Sequence, residues 1–411
     1  MDISIASISQ ANLNALARLG KVRPAWTAVR TAREALGLPE DTLLHAGPPL
    51  DNPRQPPKPV LASAILCCLH EGWAQDEAQA QRLIEDGRIA LFPAQQHGAV
   101  TPLAAVISPS TSLVEVTDLN GGQPARRAWS LLGSGAGPQI RFGSRNPEIQ
   151  PRLLWRDRVL APTLSAALQK GAIELNQLAT AGLAGGDDMH GRTSAANAAL
   201  CERLIPALPD DAPPEVASML ASSPLFFLTL WMAACHLMLD AAADRGRDRT
   251  SSLVVGFAGN GEHFGIRLAG NPSQWITEPG RPPVGPRFNP GLQAEPLPVI
   301  GDSGAIDAVG FGGQALSFSP EISAALQGCL PARWQDRPAL LIGTHPAFAD
   351  AGLRAGLDAG RVVASGLAPL AAIAMIDANG EHGLLGRGVF TPSPELFAKA
   401  VAALRLAEQD S

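Results

Sequence analysis

Two short segments carry most of the chain's chemical capacity. GDSGAIDAVGFGG, Gly301 to Gly313, packs five glycines, two acids and a serine into thirteen residues. GGDDMHGR, Gly185 to Arg192, sets two acids, a histidine and an arginine within six residues. Glycine loses much backbone freedom on folding, so such a cluster implies unusual φ angles or close approach to a ligand or another chain. Backbone N–H groups between Gly301 and the Gly312-Gly313 pair could form an anion nest, with Asp302 and Ser303 orienting a small polar substrate. A tight structural crossing is the equal alternative. In the acidic segment, Asp187 or Asp188 pairs with His190 for acid–base work, and Arg192 binds an anion. Alternatively the two acids cap the following helix and His190 is a satisfied loop residue. A divalent metal held by the acids and His190 is the weaker option, because no second ligand cluster is evident.

Further candidates are more scattered. In NGEHFGIR the polar groups are Asn260, His263 and Arg267, and period two sets His263, Gly265 and Arg267 on one strand face. An exposed strand face is the plainer reading there. His45, in HAGPP, and His97, in QQHGAVTP, stand beside small residues and proline, with little local bulk to keep them from a cavity. Arg141, in RFGSRN, suits a carboxylate or phosphate. The familiar signatures are missing: no GxxxxGK[ST], no HExxH, no GxSxG. GSGAG at Gly133 is not GxGxxG, and Pro138 after it does not open an obvious helix.

These groups need a scaffold, and composition bounds it. The 411 residues exceed what one core usually supports, so two or three packed subdomains are expected. A formal charge of −6 gives no basic footprint, which argues against nucleic acid as a partner. Tyrosine is absent and so unavailable as a general acid. Five cysteines, without C-x-x-C spacing, suit reduced thiols in a cytoplasmic protein. The first residues lack a basic segment followed by an apolar one, so no secretory signal is evident. The longest apolar run, Leu225 to Leu239, is shorter than the ~20 residues that span a bilayer and contains His236. It reads as a buried core helix, and no membrane association is expected.

The pattern along the chain predicts an α+β or mixed α/β fold: a helical middle, 151–250, between an N-terminal mixed region, 1–150, and a C-terminal mixed region with a terminal helix, 251–411. Helices are expected over Pro24–Gly37, Val60–Glu71, Asp76–Asp86, Pro151–Gln169, Glu174–Leu183, Arg192–Leu204, Pro224–Ala243 and Pro394–Glu408. Short strands are expected at Ile89–Phe92, Ala104–Ser108, Leu113–Asp118, Arg361–Ser365 and Pro369–Ile376. Ser252–Ala258 and His263–Ala269 read as a hairpin around Asn260-Gly261.

Taken in order, HAGPPL, GWA, HGAVTPLAAVISPS, RFGSRNPEI, GDDMHGR, SPLFFL, NGEHFGIRLAG, IGDSGAIDAVGFGG, GLDAGRVVASGLAP and GEHGLLGRG resemble the YlbE-like family from His45 to Lys399. The resemblance implies a cytoplasmic, oligomeric subunit of a carbamoyl- or acyl-transfer assembly with an FdrA-like protein as partner. One branch of the family is a subunit of oxamate carbamoyltransferase, which interconverts oxalurate plus phosphate with oxamate plus carbamoyl phosphate. It implies a small ureido or amide carboxylate as substrate; on the reading of the acidic segment above, His190, assisted by Asp187 or Asp188, is then the base. Two features depart from the family pattern. Gly191 replaces an asparagine, and LAAIAMID after Ala368-Pro369 replaces a polar segment with a lysine, which leaves the substrate open. The S-T-R-T signature of the aspartate and ornithine carbamoyltransferases is also absent. Two rival functions stand beside this one: an amidohydrolase cleaving a cyclic or linear ureide, and a non-catalytic scaffold for an FdrA-like subunit.

Overall fold

The apolar run at the end of the helical middle organises the molecule. Residues 226–243 contain neither proline nor glycine, so nothing interrupts helix propagation, and the helix Phe226–Ala243 ends where Asp244 and Arg245 turn left-handed (φ 39° and 56°). In the computed structural model, which describes residues 5–122 and 124–409, every residue of that helix except Asp240 is buried. At 18 residues it is long and apolar enough to cross a membrane, yet it lies inside the protein. It packs against the N-terminal helix Ile5–Lys21, against strands of both main sheets and against the short helix Gly304–Val309. Trp231, fully buried, sits edge-on to Phe311 and Phe348 at centroid distances of 5.1 and 6.1 Å.

The architecture is mixed α+β. A five-stranded sheet runs in the order Ala99–Val100, Arg127–Leu131, Ser112–Asp118, Pro24–Thr31 and Ile173–Glu174, antiparallel but for the first pair. A four-stranded sheet runs in the order Asn271–Pro279, His263–Leu268, Val254–Asn260 and Ile300–Gly301, antiparallel throughout. Three two-stranded pairs complete the strands, among them the hairpin Ala371–Ile376 with Leu384–Phe390. Thr42–His45 and Ala90–Pro93 pair in parallel. The chain crosses between them through helices Lys58–His70 and Glu77–Glu85, the long connection that parallel strands require. One contiguous apolar core draws on the N-terminal, middle and C-terminal thirds alike.

Three of the other middle helices fall where the pattern places them, Leu175–Ala184, Ser194–Leu204 and a long rod built from Ile149–Trp155, a π turn at Arg156–Leu160 and Ala161–Leu168, whereas Pro214–Ser222 is a helix that the pattern does not announce. The hairpin at Asn260-Gly261 and the tail helix Pro394–Gln409 are likewise present. Three expectations are overturned. Pro24–Thr31 is a strand, not a helix, with only Ala32–Leu36 helical after it. Its β-branched Thr27, Val29 and Thr31 suit the pleat, and pairing with Ser112–Asp118 supplies the ladder. Residues 361–365 lie in a helix, Ala359–Ser365, because the Asp358 carboxylate caps the Gly360 amide and Gly366 closes the end at φ 65°. Residues 104–108 form no strand; Ile107 alone bridges to Leu44.

Candidate functional site

The acidic segment turns sharply before helix Ser194–Leu204. Asp188 Oδ1 accepts the amides of His190 (3.1 Å) and Arg192 (2.8 Å), which folds the turn back on itself. Met189 is forced to φ 70°, a conformation that costs a non-glycine residue about 1–2 kcal/mol. That turn projects His190 toward the glycine segment. There Nδ1 meets Asp307 Oδ2 at 2.8 Å, with both side chains buried. Asp307 stands on helix Gly304–Val309, and its other oxygen accepts the amides of Gly313 (2.7 Å) and Ala372 (3.1 Å). A carboxylate held on three sides thus fixes the imidazole, leaving Nε2 without a protein partner among the described residues. Burial opposes protonation of His190, but the charge and hydrogen bond of Asp307, with Asp188 behind, outweigh it and raise its pKa above the ordinary value.

Glycine is required at the closest approach. Gly312 takes φ 56°, and a Cβ there would lie 2.4 Å from Asp307 Oδ1 and 2.9 Å from His190 Cβ. Gly312→Ala is therefore expected to lower stability by about 2 kcal/mol or more in urea unfolding. Substitution at Gly352 (φ 71°), where a Cβ meets nothing within 4 Å, should bring only the backbone part of that loss.

His190 opens on a cavity of about 110 Å³ that also presents Arg141, Ser303, Leu103, Ile322 and Arg387. Arg141 has no carboxylate within ion-pair distance among the described residues, and its Nε is buried without a partner. Its guanidinium stacks 4.9 Å from the Phe142 ring, and burial pushes its pKa down to about 10, so it stays charged at neutral pH. The site therefore combines an anchored imidazole, a hydroxyl and a bare cation. Such a set can move a proton and hold an anion.

Of the residues singled out from sequence, His190, Arg141 and Ser303 meet on this cavity. Others are engaged elsewhere. Arg192 is ion-paired with Asp187 and, at 2.9 Å, with Glu321, so it is not a free anion ligand. Asp187 also caps Ala196 N at 2.9 Å and does not touch His190. Gly312 donates its amide to Asp188 O (2.7 Å) and Gly313 to Asp307, so these two amides close the structure and form no open nest. Gly301, at φ 125°, brings the backbone against Leu103. Asp302 is buried and accepts from Gly47 N, Thr101 N and the Gln95 amide; burial pushes its pKa up to about 6 against those bonds. Its part is to hold three segments together beside Ser303.

Asn260 closes its own hairpin, accepting from Glu262 N and His263 N and donating to Pro48 O and Pro49 O. Arg267 lies over Trp275 at 4.7 Å and donates to Pro272 O and Gln95. His45 is buried with Nδ1 on Ala46 O, and burial pulls its pKa to about 4, leaving it neutral. His97 is half-buried beside Phe92. Asp51, Glu262 and His263 are close enough to share a cation, but Asp51 is largely exposed and already bonds His263 at 2.8 Å.

Asp307, the partner that orients His190, escaped the sequence reading because 117 residues separate the two. The available signal was an acid inside an apolar helix, Gly304–Val309, where a charge persists only with a partner.

Fold and site together define a mixed α+β protein with an acid-anchored histidine facing a small cationic cavity. The model of the family described as oxamate carbamoyltransferase subunit AllG matches residues 89–303. The chain is 32% identical over 416 residues to the oxamate carbamoyltransferase subunit AllG of Escherichia coli (strain K12), covering 97% of this chain and 98% of that one. It is 29% identical over 412 residues to the uncharacterized protein YahG of the same organism, covering 96% and 85%. A solved structure of a conserved protein of unknown function from Enterococcus faecalis V583 superposes with a TM-score of 0.89 at 27% identity, covering 97% of this chain and 98% of that one. The chain belongs to the AllG family.

Proposed function

We propose that the chain is a subunit of a cytoplasmic carbamoyltransferase that acts on a small ureido or amide carboxylate, oxamate or oxalurate in kind, with carbamoyl phosphate. It works with an FdrA-like partner, the arrangement that the YlbE-like resemblance implies. The observation that carries this reading is the Asp307-anchored His190 facing the bare Arg141 cation across one cavity. Membership of the AllG family supports it.

In synthesis, the amide nitrogen of oxamate attacks the carbamoyl carbon. The carbon–oxygen bond to phosphate breaks, phosphate leaves with the electron pair, and His190 Nε2 takes the proton that the nitrogen loses. In reverse, phosphate attacks the terminal ureido carbon of oxalurate, and His190 returns the proton to the departing oxamate nitrogen. Asp307 raises the pKa of His190, which helps the ring hold the proton that the phosphorolytic direction hands to the departing nitrogen. Arg141 meets the anionic end of the substrate, and Ser303 is placed to donate to the carbonyl oxygen as charge develops.

The test is oxalurate breakdown by the chain combined with its partner subunit. Dependence on phosphate supports carbamoyl transfer; ammonia or bicarbonate release without phosphate would support a hydrolase instead.

A further inference from the structure

A second chamber, about 460 Å³, adjoins the histidine cavity and shares Pro102, Arg141, Phe142, Leu225 and Leu384 with it. Its far wall is the loop Gly133–Gly137, where donors and acceptors are unequally satisfied. Ser134 O and Ala136 O both accept from Arg152 Nη2, at 2.7 and 2.6 Å, and Gly135 O accepts from the Gln139 amide. By contrast, among the described residues no backbone amide from Gly133 to Gly137 donates to a protein acceptor. Positive φ occurs at Gly135 (87°) and Gly137 (101°), alternating with Ser134 and Ala136. Such alternation gathers successive N–H groups into an anion-binding concavity. A loop whose carbonyls are occupied and whose amides are vacant carries a positive face.

Two independent side chains point to the same kind of ligand. Ser223, also lining the chamber, is buried with its hydroxyl unpartnered, and a Cβ on Gly135 would lie 3.1 Å from it. Arg141 stands at the seam without a carboxylate. Arg156 lines the same chamber but is neutralised by Asp157 at 2.7 and 2.9 Å, which leaves Arg141 as the unpaired arginine there among the described residues.

We propose that this chamber is a second ligand site that takes a phosphoryl group, held by the amide face of Gly133–Gly137, the Ser223 hydroxyl and the Arg141 guanidinium. The rest of the phosphorylated ligand then extends past Arg141 toward His190. The proposal rests on the carbamoyl-transfer reading only for the identity of that ligand. The shared chemistry is a phosphate anion, whether free, as carbamoyl phosphate or as a nucleotide terminus.

The experiment is calorimetric titration of the full-length chain with inorganic phosphate, carbamoyl phosphate, ADP and oxamate. Saturable binding of at least one phosphorylated ligand is expected, and the tightest names the source. Ala136→Asp sets a like charge on the exposed lip of the loop and should weaken phosphate at least tenfold, whereas Ala136→Ser should not. Arg141→Gln should weaken it at least tenfold, with Arg141→Lys between. No phosphate binding, or binding unchanged in both Ala136→Asp and Arg141→Gln, would overturn the assignment. Phosphate-dependent turnover without this binding would overturn the chamber alone; binding without any turnover in the assembled enzyme would overturn the catalytic reading alone.

Discussion

His190→Ala is expected to lower the turnover of the assembled enzyme by a factor on the order of 10²–10⁴, the contribution typical of a positioned acid–base group. The variant should fold. Asp307 keeps two amide donors, from Gly313 and Ala372, so its carboxylate is not left bare when the imidazole goes. Phosphate binding should be retained, because the groups proposed to hold phosphate lie on Gly133–Gly137, Ser223 and Arg141. The readouts are kcat for oxalurate breakdown and the pH profile, whose limb from His190 should vanish. Wild-type turnover in His190→Ala would remove the histidine from the mechanism and favour a scaffold whose partner performs the chemistry.

Asp307→Asn is expected to damage both activity and stability, for a reason specific to its geometry. The oxygen facing Gly313 and Ala372 must remain an acceptor, so the asparagine amide group turns toward His190 Nδ1. Nδ1 then has to accept and the ring proton moves to Nε2, so the lone pair that takes the proton in synthesis is lost. In phosphorolysis the proton must leave a neutral imidazole, a far weaker acid than the imidazolium. Activity should fall at least a hundredfold, about 3 kcal/mol of barrier. The pKa of His190 should fall as well, since the largest force raising it has gone. Stability follows with a definite sign. The folded pKa of His190 is raised, so its stabilisation is fully present below the unfolded value near 6.5 and fades as pH rises through the folded value. The deficit of Asp307→Asn relative to the wild type should therefore be largest in acid, about 1.5–3 kcal/mol, and shrink above that range. Urea midpoints between pH 5 and 9 check it; a pH-independent deficit would mean that the pair is not ionic.

Much of the helical scaffold was legible because periodicity and punctuation agree along it. The run at residues 226–243 is apolar on all sides, which only a buried helix tolerates, and Asp244 stops it. Strands were harder. The segment Pro24–Gly37 begins with proline and carries Val29, Ala32 and Leu36 at helical spacing, yet the ladder of its strand Pro24–Thr31 is supplied by residues nearly ninety positions on. Val362 and Val363 suggested β structure, but a local cap at Asp358 decided for helix and left Val363 exposed. The strands Arg127–Leu131 and Asn271–Pro279 and the N-terminal helix Ile5–Lys21 were not foreseen.

The site divides in the same way. The turn that presents His190 is local and was visible in GDDMHGR. Which acid would reach the imidazole was not, because Asp187 and Asp188 are nearer in sequence but engaged by Arg192 and by backbone amides, while Asp307 arrives from another element. The same holds for cations. Arg192 looked available beside the histidine and is ion-paired, whereas Arg141, fifty residues away, has no carboxylate within ion-pair distance among the described residues. Pairing is a property of the fold, and a single sequence does not disclose it.

The most direct measurement follows oxalurate labelled with ¹³C at its terminal ureido carbon through the chain combined with the proposed FdrA-like partner, in the presence of phosphate. The account predicts that the label appears in carbamoyl phosphate, with phosphate consumed in equal amount and the yield collapsing in His190→Ala. Label emerging as bicarbonate at a rate indifferent to phosphate would contradict it.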